Sequence, residues 1–192
     1  MAPVSHNLAA AALPLVPFAF LLILNAPFIA RADEGCVYTV YVQTGSILKG
    51  GTDSKISVTI SDSSGEEHGV HVANLETWGL MEDGHDYFER GNLDVFSGMG
   101  RCLDRPICYL NLTSDGQGQH SGWFCDYLEV TATGPHMGCS QSAFYVRRWL
   151  ALDAPPYLLS SVINGCYSTT SRPGRSIFHS PGADDRSSSS SS

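Results

Sequence analysis

Short alternations of apolar and polar residues, separated by glycine-rich turns, run through most of the chain. The clearest lies at residues 55–61, where Ile56, Val58 and Ile60 alternate with polar residues. Successive side chains of a β-strand point to opposite faces, so this alternation predicts a strand with one buried and one solvated face. No stretch carries a sustained helical stripe, and the chain is therefore expected to be all-β.

Six further strands follow from the same reasoning, and the glycine and Asp-Gly steps between them are typical of turns. A short helix is also expected near residues 146–152. Strands at this spacing favour a two-sheet antiparallel β-sandwich, in which each strand gives one face to a shared core. The seven predicted strands are residues 37–43, 55–61, 70–73, 93–97, 107–112, 123–131 and 143–148.

Three segments of the chain resemble the PLAT/LH2 (lipoxygenase-homology) family, in the family's order and over roughly residues 36–166. The resemblance is to its plant, single-domain, stress-associated branch, which includes embryo-specific protein 3-like chains. It implies a β-sandwich that docks on membrane lipid or on a protein partner, without catalysis, and a role in abiotic-stress tolerance and growth. The segments are TGSILKGGTDSKISVTI at 44–60, NLETWG at 74–79 with YFERGNLDVF at 87–96, and GWFCDYLEV at 122–130.

The first 32 residues are predicted to be a signal peptide. Residues 8–24 are apolar, and Ala30-Arg31-Ala32 supplies an A-x-A cleavage site before Asp33. This run is shorter than the ~20 apolar residues that span a bilayer, and two prolines interrupt it. We therefore expect a folded domain at 33–166 within the secretory pathway, in the endoplasmic reticulum or outside the cell. A disordered, serine-rich tail is expected at 167–192.

Six cysteines follow the cleavage site, and their even number in a secreted chain predicts a disulfide framework. Six cysteines permit 15 pairings. The pairing that we expect joins Cys36 to Cys166, Cys102 to Cys108, and Cys125 to Cys139. A zinc site is the alternative, but no two cysteines have the spacing of structural zinc ligands.

Asn111-Leu112-Thr113 is an acceptor sequence for N-glycosylation, which applies only if the chain enters the secretory pathway. The alternative is that Asn111 lies on a strand and carries no sugar. Occupancy of Asn111 by a glycan would establish the compartment.

The chain is acidic, with 11 Lys and Arg against 19 Asp and Glu and a formal charge of −8. Removing residues 1–32 takes away one arginine and no acid, which leaves a formal charge of −9. Such a surface repels nucleic acid, and it needs bridging cations to approach anionic headgroups. The chain also lacks the local signatures of hydrolases and nucleotide enzymes. We expect a monomeric binding module without enzymatic activity.

Calcium is the one cofactor that the resemblance implies. Calcium-dependent members of the family bind the ion with the Gly-Thr-Asp turn and with acidic or amide side chains of the following loop, through oxygen atoms that suit Ca²⁺. By position, the ligands would be Gly51, Asp53, Asn74 and Glu76, with Asp83 or Asp86 in addition. The alternative is a solvated acidic loop in which Asp53 fixes its own turn through hydrogen bonds.

Trp78 would anchor the domain in a membrane, because tryptophan has an apolar ring and a polar N–H and favours the interface. Leu80 and Met81 would extend the apolar tip. The alternative is that Trp78 belongs to the core or covers it.

Overall fold

The structure is a computed structural model that describes residues 35–135, 137–167 and 175–180. Within these residues nine strands form two sheets that pack face to face, and two 3₁₀ turns, Glu66–His68 and Leu75–Trp78, accompany them. The strands are β1 (Cys36–Thr44), β2 (Ile56–Ser61), β3 (Val70–Val72), β4 (Leu93–Gly100), β5 (Tyr109–Ser114), β6 (Trp123–Gly134), β7 (Met137–Leu150), β8 (Ser160–Asn164) and β9 (Arg175–His179).

One sheet has the strand order β4-β1-β6-β7-β9 and the other the order β3-β2-β5-β8. All neighbouring strands are antiparallel except β7 and β9, which are parallel. The alternation predicted at residues 55–61 is present, since Ile56, Val58 and Ile60 are buried between the sheets. The prediction of an all-β sandwich is confirmed. The largest fully buried side chains include Trp123, Tyr38, Phe88, Phe96 and Phe144.

The seven predicted strands all exist, with bounds that differ by several residues, but the predicted helix at 146–152 does not. Strand β7 continues through this region to Leu150. Phe144, Val146 and Leu150 are buried, and their spacing of two and four residues fits a strand as well as a helix. β8 was not predicted, because its five residues are mostly serine and branched aliphatic residues without a distinctive alternation.

Strand β9 lies inside the stretch that the sequence predicts to be disordered. Phe178 is buried and stacks on Phe144, with ring centroids 5.2 Å apart, and Ser176 is buried beside it. A single aromatic residue among polar ones does not indicate a strand in the sequence. Strand β9 nevertheless forms one edge of the five-stranded sheet. The prediction of disorder therefore does not hold for residues 175–180, whereas residues 168–174 and 181–192 lie outside the described residues.

The predicted signal peptide, residues 1–32, also lies outside the described residues. Among the residues that the structure does describe, no helix is long and apolar enough to cross a membrane.

The two ends of the sandwich differ in construction. At the end that we call the disulfide end, Cys36 is bonded to Cys102, and Cys108 to Cys166. Each bond closes a loop of about 60 residues, and in the chain-entropy model each such loop stabilises the fold by about 4 kcal/mol. The opposite end, which we call the loop end, consists of residues 45–55, 79–92, 115–122 and 151–159.

None of the three expected cysteine pairings is present, and strand register explains why. Cys36 lies opposite Gly100 at the end of β4, two residues before Cys102. Tyr109 pairs with Asn164 between β5 and β8, which brings Cys108 close to Cys166. The two bonds therefore each connect elements of one sheet, instead of joining the ends of the domain.

Cys125 and Cys139 are free cysteines, although the sequence suggested a bond between them. Cys125 is opposite Arg148, whereas Cys139 is next to Ser140, which is opposite Ala132. The two residues thus lie many rows apart along the β6–β7 pair. Cys125 is also buried and Cys139 exposed, so the two thiols are on different faces of the sheet. Burial raises the pKa of the Cys125 thiol well above its ordinary value.

The reactivity of these cysteines gives a direct test of the assignment. We expect non-reducing peptide mapping of the native protein to find bonds between Cys36 and Cys102 and between Cys108 and Cys166. Iodoacetamide should alkylate Cys139 in the folded protein and Cys125 only after denaturation, since the buried thiol is both inaccessible and protonated. A mapped bond between Cys125 and Cys139 would contradict the strand register described above.

Candidate cation site at the loop end

Two loops of the loop end are held together by buried hydroxyl groups. Thr52 Oγ1 donates to the backbone oxygen of His120 at 2.7 Å, and Ser54 Oγ donates to that of Gln117 at 2.6 Å. Both hydroxyl-bearing residues are about 1% exposed. Asp53, which lies between them, is exposed, because alternate residues of this segment face opposite sides. The β1–β2 loop is therefore fixed while its carboxylate faces solvent.

Asp53 bridges two loops and does not fix its own turn. Its Oδ2 accepts a hydrogen bond from the backbone N–H of His120 at 3.3 Å and lies 3.3 Å from Nδ1 of the same residue. The turn itself is closed by Thr52, whose Oγ1 accepts from the N–H of Ser54 at 3.1 Å. The hydrogen-bonding role that the sequence suggested for Asp53 thus belongs to Thr52.

The β3–β4 loop is anchored by Phe88, which is buried although it belongs to a loop. Its ring stacks on Phe96 at a centroid distance of 5.5 Å and meets the Trp123 ring edge-on at 5.3 Å. Its backbone oxygen accepts from the N–H of Thr52 at 3.2 Å. Phe88 has a φ of +63°, which non-glycine residues rarely adopt. Core packing therefore stabilises the strained backbone of Phe88 and fixes the position of this part of the loop.

A buried carboxylate completes the anchor. Asp94 is fully buried at the start of β4, and its Oδ2 accepts from the N–H of Phe88 at 2.7 Å. Its other oxygen lies 2.7 Å from Nε2 of His85, whose ring meets Tyr87 edge-on. A buried carboxylate must be hydrogen-bonded to be tolerated, and Asp94 satisfies this with two groups of one loop.

Three carboxylates converge as a result. Oxygen atoms of Asp53, Asp86 and Glu89 all lie within 4.8 Å of one another, and we call these residues the acidic triad. Gly51 adjoins it, because a Cβ atom placed on Gly51 would lie 3.2 Å from Glu89 Oε2 and 2.9 Å from the backbone nitrogen of Arg90. Only glycine allows this close approach.

The structure places the sequence-predicted ligands in two groups. Gly51, Asp53 and Asp86 lie at the acidic triad, whereas Glu76 and Asp83 are not part of it. Asn74 has a local role, since its Oδ1 accepts from the N–H of Glu76 at 3.3 Å and caps the 3₁₀ turn Leu75–Trp78. Glu89 was missed. Glu89 lies in the YFERGNLDVF segment, and its nearness to Asp53 depends on contacts between loops that are distant in sequence.

The donor set of the acidic triad suits a hard cation. Two like charges about 4 Å apart repel by roughly 1 kcal/mol even in water, so three carboxylates at this spacing favour a bound cation. Ca²⁺ takes about 6 to 8 oxygen ligands in flexible geometry, and carboxylates can supply one or two each. Asp53, Asp86 and Glu89 would hold the ion, with open positions left for water or for an oxygen of a ligand.

The predicted apolar tip has a different arrangement from the one expected. Trp78 is half-buried and its indole covers Gly98 of β4, where a Cβ atom would clash with the ring. Met81 is half-buried, and its N–H donates to the Tyr87 hydroxyl at 3.1 Å. Leu80 is 60% exposed. Four further exposed apolar side chains lie elsewhere at the loop end, and we call them the apolar rim: Leu48, Leu152, Tyr157 and Leu158.

Asn111 lies on the outer face of β5, away from the loop end. Its amide donates to Glu66 Oε1 at 3.1 Å, and the Tyr109 hydroxyl donates to Glu66 Oε2 at 2.8 Å. The Tyr109 hydrogen bond, followed by that of Asn111, lowers the pKa of Glu66. Burial and the neighbouring carboxylate raise the pKa of Tyr109 to about 12. Glycosylation of Asn111 would replace one of the two hydrogens on Nδ2, the atom that donates to Glu66.

Comparison with known proteins identifies the family. A family model described as embryo-specific protein 3 (ATS3) matches residues 23–153. PLAT domain-containing protein 1 of Arabidopsis thaliana is 51% identical over 154 residues, which cover 79% of this chain and 84% of that protein. PLAT domain-containing protein 2 of Arabidopsis thaliana is 51% identical over 149 residues, which cover 76% of this chain and 80% of that protein.

Among solved structures, coral 8R-lipoxygenase, described as activated by calcium via a C2-like domain, aligns with 66% of this chain. The TM-score is 0.49 and the sequence identity 23%. The chain spans only 16% of that protein.

Replacing Asp94 by alanine tests how the loop is held. The N–H of Phe88 and the ring of His85 would lose their buried partner, so we expect the free energy of unfolding to fall by about 2 to 3 kcal/mol. Urea denaturation followed by fluorescence measures this. Asp83→Ala, which removes an exposed carboxylate from the same loop, should change it by no more than about 0.5 kcal/mol. Equal effects of the two substitutions would show that Asp94 does not anchor the loop.

Proposed function

The chain belongs to the embryo-specific protein 3 (ATS3) family and is a PLAT domain protein, and from this we propose that it is a non-catalytic module of the plant secretory pathway that binds membrane lipid with the help of Ca²⁺. Its physiological role would be in abiotic-stress response and growth, as the family resemblance implies. The protein would act in the endoplasmic reticulum or outside the cell.

One observation carries this proposal: the acidic triad and the apolar rim occupy the same end of the sandwich. Leu48 is 77% exposed and Leu152 68% exposed, on two different loops of that end. Exposed leucines on adjacent loops favour insertion into the interfacial region of a bilayer. Carboxylates within 4.8 Å of one another supply the cation site beside them. Together, the apolar rim would insert into the bilayer and the cation at the acidic triad would attract the headgroups.

The cation has a definite electrostatic role. The mature chain would have a formal charge of −9 and would be repelled by anionic headgroups. Ca²⁺ at the acidic triad would offset two of these charges at the point of contact, and its open coordination positions could accept a headgroup oxygen. The contact residues would then be the apolar rim and Leu80.

The disulfide bonds and the predicted signal peptide at residues 1–32 both support secretion. Two disulfides persist only in an oxidising compartment, and they lie in the part of the chain that follows the predicted cleavage site. Occupancy of Asn111 by a glycan would establish this part of the proposal.

Calcium binding is tested by its effect on stability. A ligand that binds only the folded state at a hundredfold excess over Kd stabilises it by about 2.7 kcal/mol. We expect excess Ca²⁺ to raise the Tm relative to EDTA, and Asp86→Asn or Glu89→Gln to remove most of this increase. Asp83→Asn, in the same loop but outside the acidic triad, should retain it. A calcium-induced increase that survives both triad substitutions would place the ion elsewhere.

Membrane binding is tested by co-sedimentation with phosphatidylcholine–phosphatidylserine vesicles in Ca²⁺ and in EDTA. We expect pelleting only in Ca²⁺, and the double substitution Leu152→Ser with Leu158→Ser to lower vesicle affinity by at least about tenfold through lost apolar burial. Val162→Ser is the control, because Val162 is 43% exposed on β8 and lies outside the apolar rim. Absence of calcium-dependent pelleting would reject this function.

A protein-interaction module is the second candidate, and one feature favours it. On the outer face of the five-stranded sheet, Tyr145 stacks on His179 with centroids 5.0 Å apart, and the Arg147 guanidinium lies 4.7 Å from the Tyr145 centroid. Aromatic residues and arginine are enriched at protein interfaces. This candidate gains support if the protein fails to bind vesicles.

A further inference from the structure

A cavity of about 420 Å³ opens at the loop end beside the acidic triad but does not include it. Its volume lies within the range of about 300–1,000 Å³ that is typical of small-molecule sites. Three loops and the end of β7 form its wall. The lining residues are Leu48, Lys49, Gln119, His120, Ser121, Gly122, Trp149, Asp153 and Ala154.

The indole of Trp149 is held in place on one side of this cavity. Phe124 meets the Trp149 ring edge-on, with centroids 5.6 Å apart. The backbone of Phe124 is itself fixed, because its N–H donates to Gly50 and its oxygen accepts from Gly45, both at 2.9 Å. The half-buried indole therefore forms a fixed aromatic surface against which a ligand can pack.

Apart from His120, the polar side chains around the indole make no hydrogen bond or ion pair within the described part of the chain. Within the described part of the chain, no hydrogen-bond or ion-pair partner is found for the side chains of Lys49, Gln119, Ser121 and Asp153, or for the indole N–H of Trp149. Together they offer donors and acceptors in one concave surface. A ligand with many hydroxyl groups, each both donor and acceptor, matches this set.

Charge and polarity exclude two other ligand classes. Lys49 and Asp153 balance each other in formal charge, and the imidazole of His120 is turned to Asp53. A phosphate or carboxylate ligand would find no net positive charge here. An acyl chain has no group that could form hydrogen bonds with Gln119, Ser121 or Asp153.

We propose that this cavity binds a neutral oligosaccharide, with one sugar ring stacked by its C–H face on the Trp149 indole and its hydroxyl groups bonded to Gln119, Ser121 and Asp153. The site is distinct from the acidic triad. It goes beyond the membrane function and does not depend on it, and its binding should be independent of Ca²⁺.

The test uses the protein purified from a secretory host after expression of the full chain, with EDTA present and no lipid. An array of neutral oligosaccharides (cellohexaose, mannohexaose, xylohexaose and a xyloglucan oligosaccharide) is probed alongside polygalacturonate as the acidic comparator. The positives are titrated by calorimetry. We expect saturable binding of at least one neutral oligosaccharide. Binding of none, or of polygalacturonate alone, would overturn the proposal.

Three substitutions locate the site. Trp149→Ala removes the stacking surface, and Asp153→Asn exchanges an acceptor for an amide. Gly122→Ala removes no polar group, but its methyl would lie 3.3 Å from Ala151 Cβ, 3.6 Å from Asp153 Oδ1 and 3.9 Å from Trp149 Cε3, where it narrows the cavity. We expect each to weaken binding by at least about tenfold, the equivalent of roughly one hydrogen bond.

Matched controls lie at the disulfide end. Tyr167→Ala removes an aromatic side chain that is 92% exposed, and Asp104→Asn changes an exposed carboxylate. Both should bind as the unmodified protein does. The Tm of every variant is measured, so that a loss of binding is attributed to the cavity only when the fold is retained. Undiminished binding by a folded Gly122→Ala and a folded Asp153→Asn would overturn the proposal.

Discussion

The loop end depends on the burial of Phe88. A loop residue whose ring reaches the core between Phe96 and Trp123 connects the surface chemistry to the most rigid part of the sandwich. Its left-handed backbone conformation costs about 1 to 3 kcal/mol, so packing and hydrogen bonding must exceed that cost. Asp94 and Thr52 supply these hydrogen bonds to the backbone N–H and oxygen of Phe88.

The consequence for Asp86 and Glu89 is that the backbone on both sides of Phe88 is placed close to Asp53. An exposed acidic loop would ordinarily separate its carboxylates, because like charges repel and solvent offers no resistance. Here the residues on both sides of Phe88 are fixed by a core contact, and Asp53 is fixed by Thr52 and Ser54. The fold thus brings the backbone of these residues together, and a bound cation would offset the repulsion between their carboxylates.

Sequence reasoning recovered the fold because its evidence is local. Ile56, Val58 and Ile60 alternate within one strand, and no tertiary information is needed to interpret them. The acidic triad and the disulfide pairing depend instead on which strands pair and in which register. Nothing near Cys36 indicates that β4 would end beside it, and nothing near Glu89 indicates that Gly51 would pack against it. Phe178 was missed for the same reason, since one aromatic residue becomes significant only when Phe144 lies opposite.

Rigidity explains why this end of the sandwich suits recognition. Binding costs free energy when side chains and loops must be ordered, and a site on preordered loops avoids much of that cost. The loops here are joined by buried hydroxyls and by backbone hydrogen bonds such as that from Phe124 to Gly50. Exposed groups such as Leu48 and Asp53, and the half-buried Trp149, are therefore held on ordered loops and strands. The disulfide end is stabilised instead by covalent bonds, between Cys36 and Cys102 and between Cys108 and Cys166.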